Sequence, residues 1–286
     1  MGLNRPITIG RIDYANAWPL FHFSEEKLPE ERFTIVRRVP SLLNQAMRNG
    51  ELDVTAMAAF AYGQHADNYL LLPDLSVSAK GRVNSILLFL KAPLEEVLKG
   101  TIAVTNTSAT SINLLKIIMG MYYQANPAYV TMEPELDSML EQADAALIIG
   151  DPAIKASWQA EGLTVIDLGQ LWRDWTGYGM TFALVAVRKE IAELDPESIA
   201  QVLEALTYSK ARSLREPQVL VDKACAELGG TSDYWSRYFR ELHHDFGAAE
   251  QTGLSLYFEY AYKLGLLDHQ VNMRFFDVRS VLQVNE

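Results

Sequence analysis

The sequence predicts an α/β fold class, with alternating strands and helices followed by a helical C-terminal segment. Two observations predict it. Short apolar runs alternate with amphipathic stretches up to about residue 190, which is typical of βα units. From Asp195 onward only helical periodicity is present, in about four segments, and Asp195 with Pro196 forms a typical helix start. A chain of 286 residues, 49% of them hydrophobic, is long enough for one large core or two modest ones.

Each predicted strand is a short run of apolar and β-branched residues that a turn or a helix start follows. The predicted strands span residues 7–12, 33–39, 53–59, 84–92, 101–105, 129–133, 145–150, 164–168 and 180–190. Helices are predicted where the apolar spacing becomes helical, as in the segment that Pro40 opens and Gly50 closes. The predicted helices span residues 41–50, 59–66, 93–100, 111–123, 134–142, 152–159 and 170–177. Residues 71–82 are predicted to be a loop.

Two long apolar strands, residues 85–91 and 180–188, divide the chain. Because the segment between them has its own set of strands and helices, we interpret the two strands as crossovers between two lobes. Lobe one then comprises residues 1–90 and 180–286, the latter with the C-terminal helices, and lobe two is the insertion 91–179. A single α/β domain with a helical tail is the alternative. The two-lobe arrangement places loops and helix starts around one crevice, where ligands of open α/β sheets usually bind.

The composition and the lack of certain segments argue against a nucleic-acid partner, a membrane span, secretion and a disulfide. The net charge of −11 and the pI near 5.0 argue against a nucleic-acid ligand, because phosphate binding depends on clustered Lys and Arg. No apolar run approaches the ~18 residues of a membrane-spanning helix. The first residues lack the basic segment and apolar stretch of a signal peptide, so we expect a cytoplasmic protein. The single cysteine, Cys225, excludes an internal disulfide and leaves no thiol cluster for a metal.

Known cofactor and nucleophile motifs are absent from the sequence. None of the five histidines stands in a His-x-x-x-His or His-Cys arrangement, so we expect no zinc site. There is no Gly-x-Ser-x-Gly elbow and no Gly-x-Gly-x-x-Gly after a strand. Acyl transfer and dinucleotide chemistry therefore lack their usual sequence signals.

The segment TNTSATS, residues 105–111, is the most informative local signal, and its last four residues are Ser108, Ala109, Thr110 and Ser111. It follows a predicted strand and begins an apolar helix, whose unpaired N–H groups and partial positive charge attract anions. Five hydroxyl residues in seven exceed what one helix cap requires, which favours a carboxylate-binding site. Ordinary capping by Ser108 or Thr110 is the alternative.

Four further residues are candidates for the crevice, and each has an ordinary structural alternative. Asn16 follows the first predicted strand and either contacts a ligand or caps its own helix. Ser85 begins the first predicted crossover, as a ligand contact or a turn residue. Asp151 ends a buried apolar run before Pro152, where capping competes with acid or base chemistry. Tyr178, between two glycines, is expected to project into the cleft.

Several of these segments occur in the same order in a known enzyme family. They are DYANAWPL with Asn16, VPSLLNQAMRNGELDV at 39–54, LLLPDLSVS at 70–78, VNSILLF with Ser85, SATS at 108–111, ALIIGD at 146–151 and LWRDWTG at 171–177. From residue 7 to about 190 the chain resembles the chorismate dehydratases, which act in menaquinone biosynthesis by the futalosine route. It departs from the family pattern at Asp13 and Ala15 and around Tyr178.

The resemblance implies a two-lobed fold like that of the type II periplasmic binding proteins. It implies conversion of chorismate to 3-[(1-carboxyvinyl)oxy]benzoate and water without a metal or organic cofactor. It makes Asn16 and Ser85 the catalytic residues at the cleft and hinge, and residues 108–111 the carboxylate-binding helix start. We add Asp151 and Tyr178 as expected substrate contacts.

Two other functions are compatible with the same fold. The sister enzyme of the pathway, 1,4-dihydroxy-6-naphthoate synthase, is similar but carries a histidine at the end of the strand where this chain has Gly150 and Asp151. A non-catalytic small-anion-binding protein shares the lobes and the anion-binding helix starts. The expected partner is a small molecule, and the sequence leaves a homodimer open.

Overall fold

The computed structural model describes residue 3 and residues 5–278, and the predicted range 180–286 therefore ends outside the described residues. In chain order the strands are β1 (Ile7–Ile12), β2 (Phe33–Arg38), β3 (Val54–Ala58), β4 (Tyr69–Ala79), β5 (Ile86–Leu90), β6 (Thr101–Thr105), β7 (Ala128–Met132), β8 (Ala145–Ile149), β9 (Thr164–Asp167), β10 (Met180–Arg188) and β11 (Leu242–His243).

The helices are α1 (Trp18–Phe21), α2 (Pro40–Arg48), α3 (Ala59–Gln64), α4 (Leu94–Val97), α5 (Ala109–Ile117), α6 (Leu136–Gln142), α7 (Gly150–Ser157), α8 (Leu168–Thr176), α9 (Lys189–Leu194), α10 (Pro196–Arg215), α11 (Pro217–Leu228), α12 (Ser232–Glu241) and α13 (Ala248–Lys263). Three 3-10 turns occur at Ala15–Ala17, Ser24–Lys27 and Ala66–Asn68, and a π-helical turn, Ile118–Tyr122, continues α5. None of the described helices is long and apolar enough to cross a membrane.

The strands form two sheets. The six-stranded sheet has the order β11-β4-β10-β3-β1-β2, in which β1 runs parallel to β2 and β3 while β10 runs antiparallel to β3 and β4. The five-stranded sheet has the order β7-β6-β8-β5-β9, in which β6 runs parallel to β7 and β8 while β5 runs antiparallel to β8 and β9. The predicted α/β class with two sheets is therefore confirmed.

The chain passes between the sheets twice, through residues 80–85 after β4 and residues 177–179 before β10. The sequence predicts that the first part of lobe one ends at residue 90. In the structure the chain has left the six-stranded sheet before that point, because β5 lies wholly in the five-stranded sheet and pairs with β8. An apolar strand such as β5 carries no sequence signal for the sheet it joins. Ile9 of one sheet and Leu88 of the other belong to one continuous buried apolar cluster, so the sheets pack against a shared core.

The predicted loop at 71–82 is wrong, because most of it lies in β4. Pro73 interrupts the apolar run and Asp74 has a positive φ of 58°, which are turn-like features. The pairing of β4 with β10 shifts register twice, and such irregularities accommodate a proline within a strand. The predicted helix start at Asp195 is confirmed: its carboxylate accepts the Ser198 N–H at 3.2 Å, and Pro196 begins α10.

Candidate active site

The ends of several strands from both sheets meet at one place. Asn16 lies in the 3-10 turn shortly after β1. Helix α5 begins shortly after β6, and α7 begins directly after β8. Because β5 runs antiparallel to β8, its beginning lies at the end of β8, where the Gly150 N–H donates to the Ser85 carbonyl at 2.7 Å. The Tyr14 ring lies so close to Gly150 that an added Cβ would come within 2.6 Å of it. Elements of the two sheets thus contact each other around Asn16, Ser85 and Asp151.

Asp151 links the two sheets by a hydrogen bond. Its carboxylate accepts the Ala15 N–H at 3.1 Å, and the residue is only 8% exposed. Burial raises the pKa of Asp151 to about 6, against the opposing effects of the Ala15 hydrogen bond and Lys155. Asp151 therefore holds the turn that carries Asn16, and its charge changes in a mildly acidic range.

Ser85 is fully buried at the start of β5. Its hydroxyl donates weakly to the Val83 carbonyl at 3.2 Å, and its main chain anchors Gly150. The Tyr238 hydroxyl of α12 lies near the Ser85 hydroxyl. Burial and Asp151 strongly raise the pKa of Tyr238, and a weak hydrogen-bonding interaction with Ser85 opposes this rise. A residue of the C-terminal segment thus reaches the same place as the predicted hinge serine.

Two buried polar atoms near this point make no hydrogen bond of good geometry among the described residues. They are the side-chain amide oxygen of Asn16 and the hydroxyl oxygen of Tyr238. A buried polar group without a partner costs about 1 to 3 kcal/mol, so such atoms are rare outside sites that a ligand or water completes. The Arg11 and Arg188 Nε atoms are also unpaired, but both guanidinium groups form ion pairs with carboxylates. The atoms of Asn16 and Tyr238 therefore indicate a ligand site beside Ser85.

His244 forms a hydrogen bond to the turn that contains Asn16. Its Nε2 lies 2.8 Å from the main-chain carbonyl oxygen of Asn16, and because a carbonyl only accepts, Nε2 carries the proton. Burial lowers the pKa of His244 to about 4, so the ring is neutral at pH 7. Asn16 is thus fixed by Asp151 through Ala15 and by His244.

The Ser/Thr-rich turn before α5 uses most of its hydroxyls internally. Ser108 caps the helix by accepting the Ser111 N–H at 3.1 Å. The Thr110 hydroxyl donates to the Phe182 carbonyl at 3.0 Å and accepts the Phe60 N–H at 3.1 Å, which ties α5 to the other sheet. The hydroxyls of Thr105 and Thr107 bond to each other. The first N–H groups of a helix, here at Ala109 and Thr110, have no partner within the helix itself.

Tyr178 lies apart from these residues. It is 40% exposed, and an added Cβ at Gly253 of α13 would come within 3.3 Å of its side chain. It lines a cavity of about 90 Å³ together with Lys80, Arg173 and Glu250. Of the residues that the sequence singled out, the structure gathers Asn16, Ser85, Asp151 and the α5 start, and it sets Tyr178 beside α13.

Sequence reasoning missed Tyr238 and His244. Tyr238 stands in an aromatic-rich helix, SDYWSRYFRE, where each ring has the spacing of an ordinary core residue. His244 follows another histidine after that helix, with no motif around it. Only their residue types, a tyrosine and a histidine, could have suggested a role in the site. Their position there depends on long-range packing against β4 and the Asn16 turn, which the local sequence does not indicate.

Asp151 also lines a polar cleft of about 640 Å³. It is lined by residues from the start of α6 and from α7, among them Asp137, Ser138 and Lys155. Among the described residues, no three His, Cys, Asp or Glu side chains are grouped to hold a metal ion. The site consists of neutral hydrogen-bonding groups and one titratable carboxyl.

The fold has the architecture of the periplasmic binding proteins. It superposes on the periplasmic aliphatic sulphonate-binding protein of Escherichia coli with a TM-score of 0.65 and 16% identity, covering 97% of this chain and 91% of that one. It is a two-lobed, type II periplasmic-binding-protein-like fold, as the sequence resemblance predicted.

The sequence places the chain more narrowly. Residues 7–263 match the profile of a family described as menaquinone biosynthesis, and the chain belongs to that family. The chorismate dehydratase of Thermus thermophilus is 31% identical over 270 residues, which cover 89% of this chain and 95% of that protein. The 1,4-dihydroxy-6-naphthoate synthase of the same organism is 27% identical over 235 residues, which cover 78% and 81%.

Proposed function

We propose that this protein is a hydro-lyase that converts chorismate to 3-[(1-carboxyvinyl)oxy]benzoate and water in menaquinone biosynthesis. The observation that carries the proposal is the 31% identity to a chorismate dehydratase along nearly the whole chain. The site supports it, because the Asn16 amide oxygen and the Tyr238 hydroxyl make no hydrogen bond of good geometry and lie near Asp151, which links the two sheets. We place the reaction in the cytoplasm and assign the two sheets to two lobes as part of the same proposal.

The reaction removes the C3 proton and the C4 hydroxyl of chorismate and leaves an aromatic ring. Because aromatisation supplies the driving force, the protein chiefly has to orient the dianion and stabilise the departing oxygen. We assign one carboxylate to the N–H groups at Ala109 and Thr110. Asn16 and Ser85 hold the reacting groups. We assign removal of the C3 proton to the enolpyruvyl carboxylate of the substrate. Asp151 already accepts the Ala15 N–H, and the Nε2 of His244 carries a proton towards the Asn16 carbonyl.

Turnover of chorismate tests the proposal directly. The purified protein is incubated with chorismate, the diene absorbance is followed, and the product mass is determined. We expect the absorbance to fall and a product lighter by one water to appear. Chorismate that binds but stays intact contradicts dehydration and favours the solute-binding alternative.

We also propose Tyr178 as a substrate contact. The Tyr178→Phe variant should then raise KM for chorismate, and an unchanged KM would contradict this contact.

The sister synthase is the second enzyme candidate, on the strength of its 27% identity. The end of β8 distinguishes the two, because Gly150 and Asp151 stand where the sister enzyme carries a histidine. Incubation with the cyclic precursor of 1,4-dihydroxy-6-naphthoate is therefore expected to leave that compound unchanged. Release of 1,4-dihydroxy-6-naphthoate would reverse the assignment.

Replacing Asn16 with alanine separates binding from chemistry. Because the amide acts on the reacting groups while the α5 start binds the carboxylate, Asn16→Ala is expected to lower kcat by about 100-fold, the range typical of losing one transition-state contact. The Kd for chorismate, measured by calorimetry, should change by less than about threefold. Equal losses in kcat and affinity would count against this role for Asn16.

A further inference from the structure

Tyr238 is a fully buried tyrosine whose hydroxyl makes no hydrogen bond of good geometry in the described structure, although the Ser85 hydroxyl lies near enough to oppose the rise in its pKa. Other buried tyrosines of this protein differ from it. The Tyr257 hydroxyl donates to the Thr110 carbonyl at 3.1 Å, and the Tyr62 hydroxyl accepts the Arg274 N–H at 3.2 Å. Tyr238 therefore differs from these buried tyrosines in the hydrogen bonding of its hydroxyl, which lies beside Ser85.

The ring of Tyr238 is held by its neighbours on α12. It stacks on Tyr234 with centroids 6.3 Å apart, and it meets Trp235 and Phe239 edge to face at 5.3 and 5.4 Å. A ring packed on three sides has little freedom to turn its hydroxyl towards another partner. The hydroxyl is thus preorganised at the site.

The charge around the hydroxyl determines what it can do. Burial and the nearby Asp151 carboxyl both raise the pKa of Tyr238 well above its usual range, so the phenol stays protonated at any physiological pH. A protonated phenol in a buried site donates a hydrogen bond to an oxygen that gains negative charge. A dianionic substrate supplies such an oxygen.

We propose that Tyr238 is a substrate-contacting residue that donates its hydroxyl hydrogen to the departing C4 oxygen of chorismate, next to Ser85. This inference rests on the proposed dehydration. The C4–O bond breaks with its electron pair on oxygen, and the electrons of the C3–H bond form the new ring double bond. The C3 proton passes through the enolpyruvyl carboxylate to the departing oxygen, which leaves as water. Tyr238 keeps its own proton throughout and stabilises the charge that builds on that oxygen.

Tyr238→Phe tests the proposal, with Tyr62→Phe as the matched control. Both variants remove one hydroxyl from a fully buried tyrosine, but only the Tyr62 hydroxyl makes a hydrogen bond of good geometry to the protein. For Tyr238→Phe we expect kcat on chorismate to fall at least tenfold with KM within threefold, and Tm to stay the same or rise. For Tyr62→Phe we expect unchanged kcat and a lower Tm.

The outcomes separate this inference from the proposed function. If the wild type converts chorismate and Tyr238→Phe matches its kcat, the hydroxyl meets only water, and the inference is wrong while the function stands. A loss confined to KM overturns the contact with the departing oxygen. A lower Tm with unchanged kcat assigns Tyr238 to the core alone. A wild type that leaves chorismate intact refutes the proposed function, and this inference with it.

Discussion

Asp151 and His244 each form a hydrogen bond to the Asn16 turn, and their pKa values are shifted in opposite directions, so pH affects the two contacts in opposite ways. Burial raises the pKa of Asp151 to about 6, above its unfolded value of 3.8. Between these values the folded state binds a proton that the unfolded state has lost, so this carboxyl lowers stability as pH rises. His244 behaves oppositely, because its folded pKa of about 4 lies below the unfolded value of 6.5.

The Asp151→Asn variant tests the first shift. The amide oxygen of asparagine can still accept the Ala15 N–H, so the variant removes mainly the titration. Relative to wild type, its free energy of unfolding should rise between pH 4 and 6, by up to about 1.4 kcal/mol per pH unit. Urea unfolding at half-unit steps from pH 4 to 7.5 measures this difference. Parallel curves for the two proteins would show that Asp151 titrates normally.

The His244→Gln variant tests the second shift. Its amide can donate to the Asn16 carbonyl in place of Nε2–H, but it has no proton to gain. Wild type should lose stability relative to the variant as pH falls from 6.5 to 4, again by up to about 1.4 kcal/mol per unit, and the two should differ by a constant amount above pH 7. A constant difference across the whole range would contradict a buried neutral histidine.

Among the elements, α7 connects the site to a second contact between the lobes. It begins at Gly150 and Asp151, and the residue after its last turn, Trp158, packs edge to face on Tyr234 at 5.3 Å. An added Cβ at Gly230, just before α12, would lie 2.8 Å from the Trp158 ring. Because α12 also carries Tyr238, this contact fixes α7 and α12 relative to each other at the site.

Gly230→Ala perturbs this contact, and Gly162→Ala is its control. Both glycines have a positive φ, 80° and 78°, so both substitutions incur the backbone penalty of about 1 to 2 kcal/mol. Only at Gly230 does the new methyl group meet a ring, since nothing lies within 4 Å at Gly162. Gly230→Ala should therefore lose about 1 to 3 kcal/mol more and raise KM for chorismate. Equal effects of the two substitutions on stability and KM would mean that the Trp158 ring moves away from the new methyl group at little cost.

The elements differ in how well the sequence predicts them. Strands with a clear apolar run and a helix after them, such as β6 and β8, lie within two residues of their predicted bounds. β4 was missed because Pro73 and Asp74 are typical of a turn, and only pairing with β10 makes that segment a strand. Likewise, the membership of β5 in the five-stranded sheet depends on tertiary pairing with β8 rather than on its own composition.

At the scale of the whole molecule, the sequence predicts the residues of the site that lie at strand ends but not those that distant packing brings there. Asn16, Ser85, Asp151 and the α5 start each follow or precede a strand, so their neighbourhood follows from the rule that ligands bind at strand ends. The internal use of the Thr110 hydroxyl was not predictable, because its partners Phe60 and Phe182 are distant in sequence. Tyr238 and His244 reach the site only through the packing of the C-terminal helices.

We propose that chorismate lies between the two sheets, in contact with Asn16, Ser85 and Tyr238. A crystal structure of the Asn16→Ala variant with chorismate is the decisive test, since this variant is expected to bind the substrate without converting it. We expect a carboxylate at the N–H groups of Ala109 and Thr110, and the C4 hydroxyl within hydrogen-bonding distance of the Ser85 and Tyr238 hydroxyls. Chorismate bound elsewhere, for example in the cavity that Leu220 and Arg240 line, would contradict this binding mode.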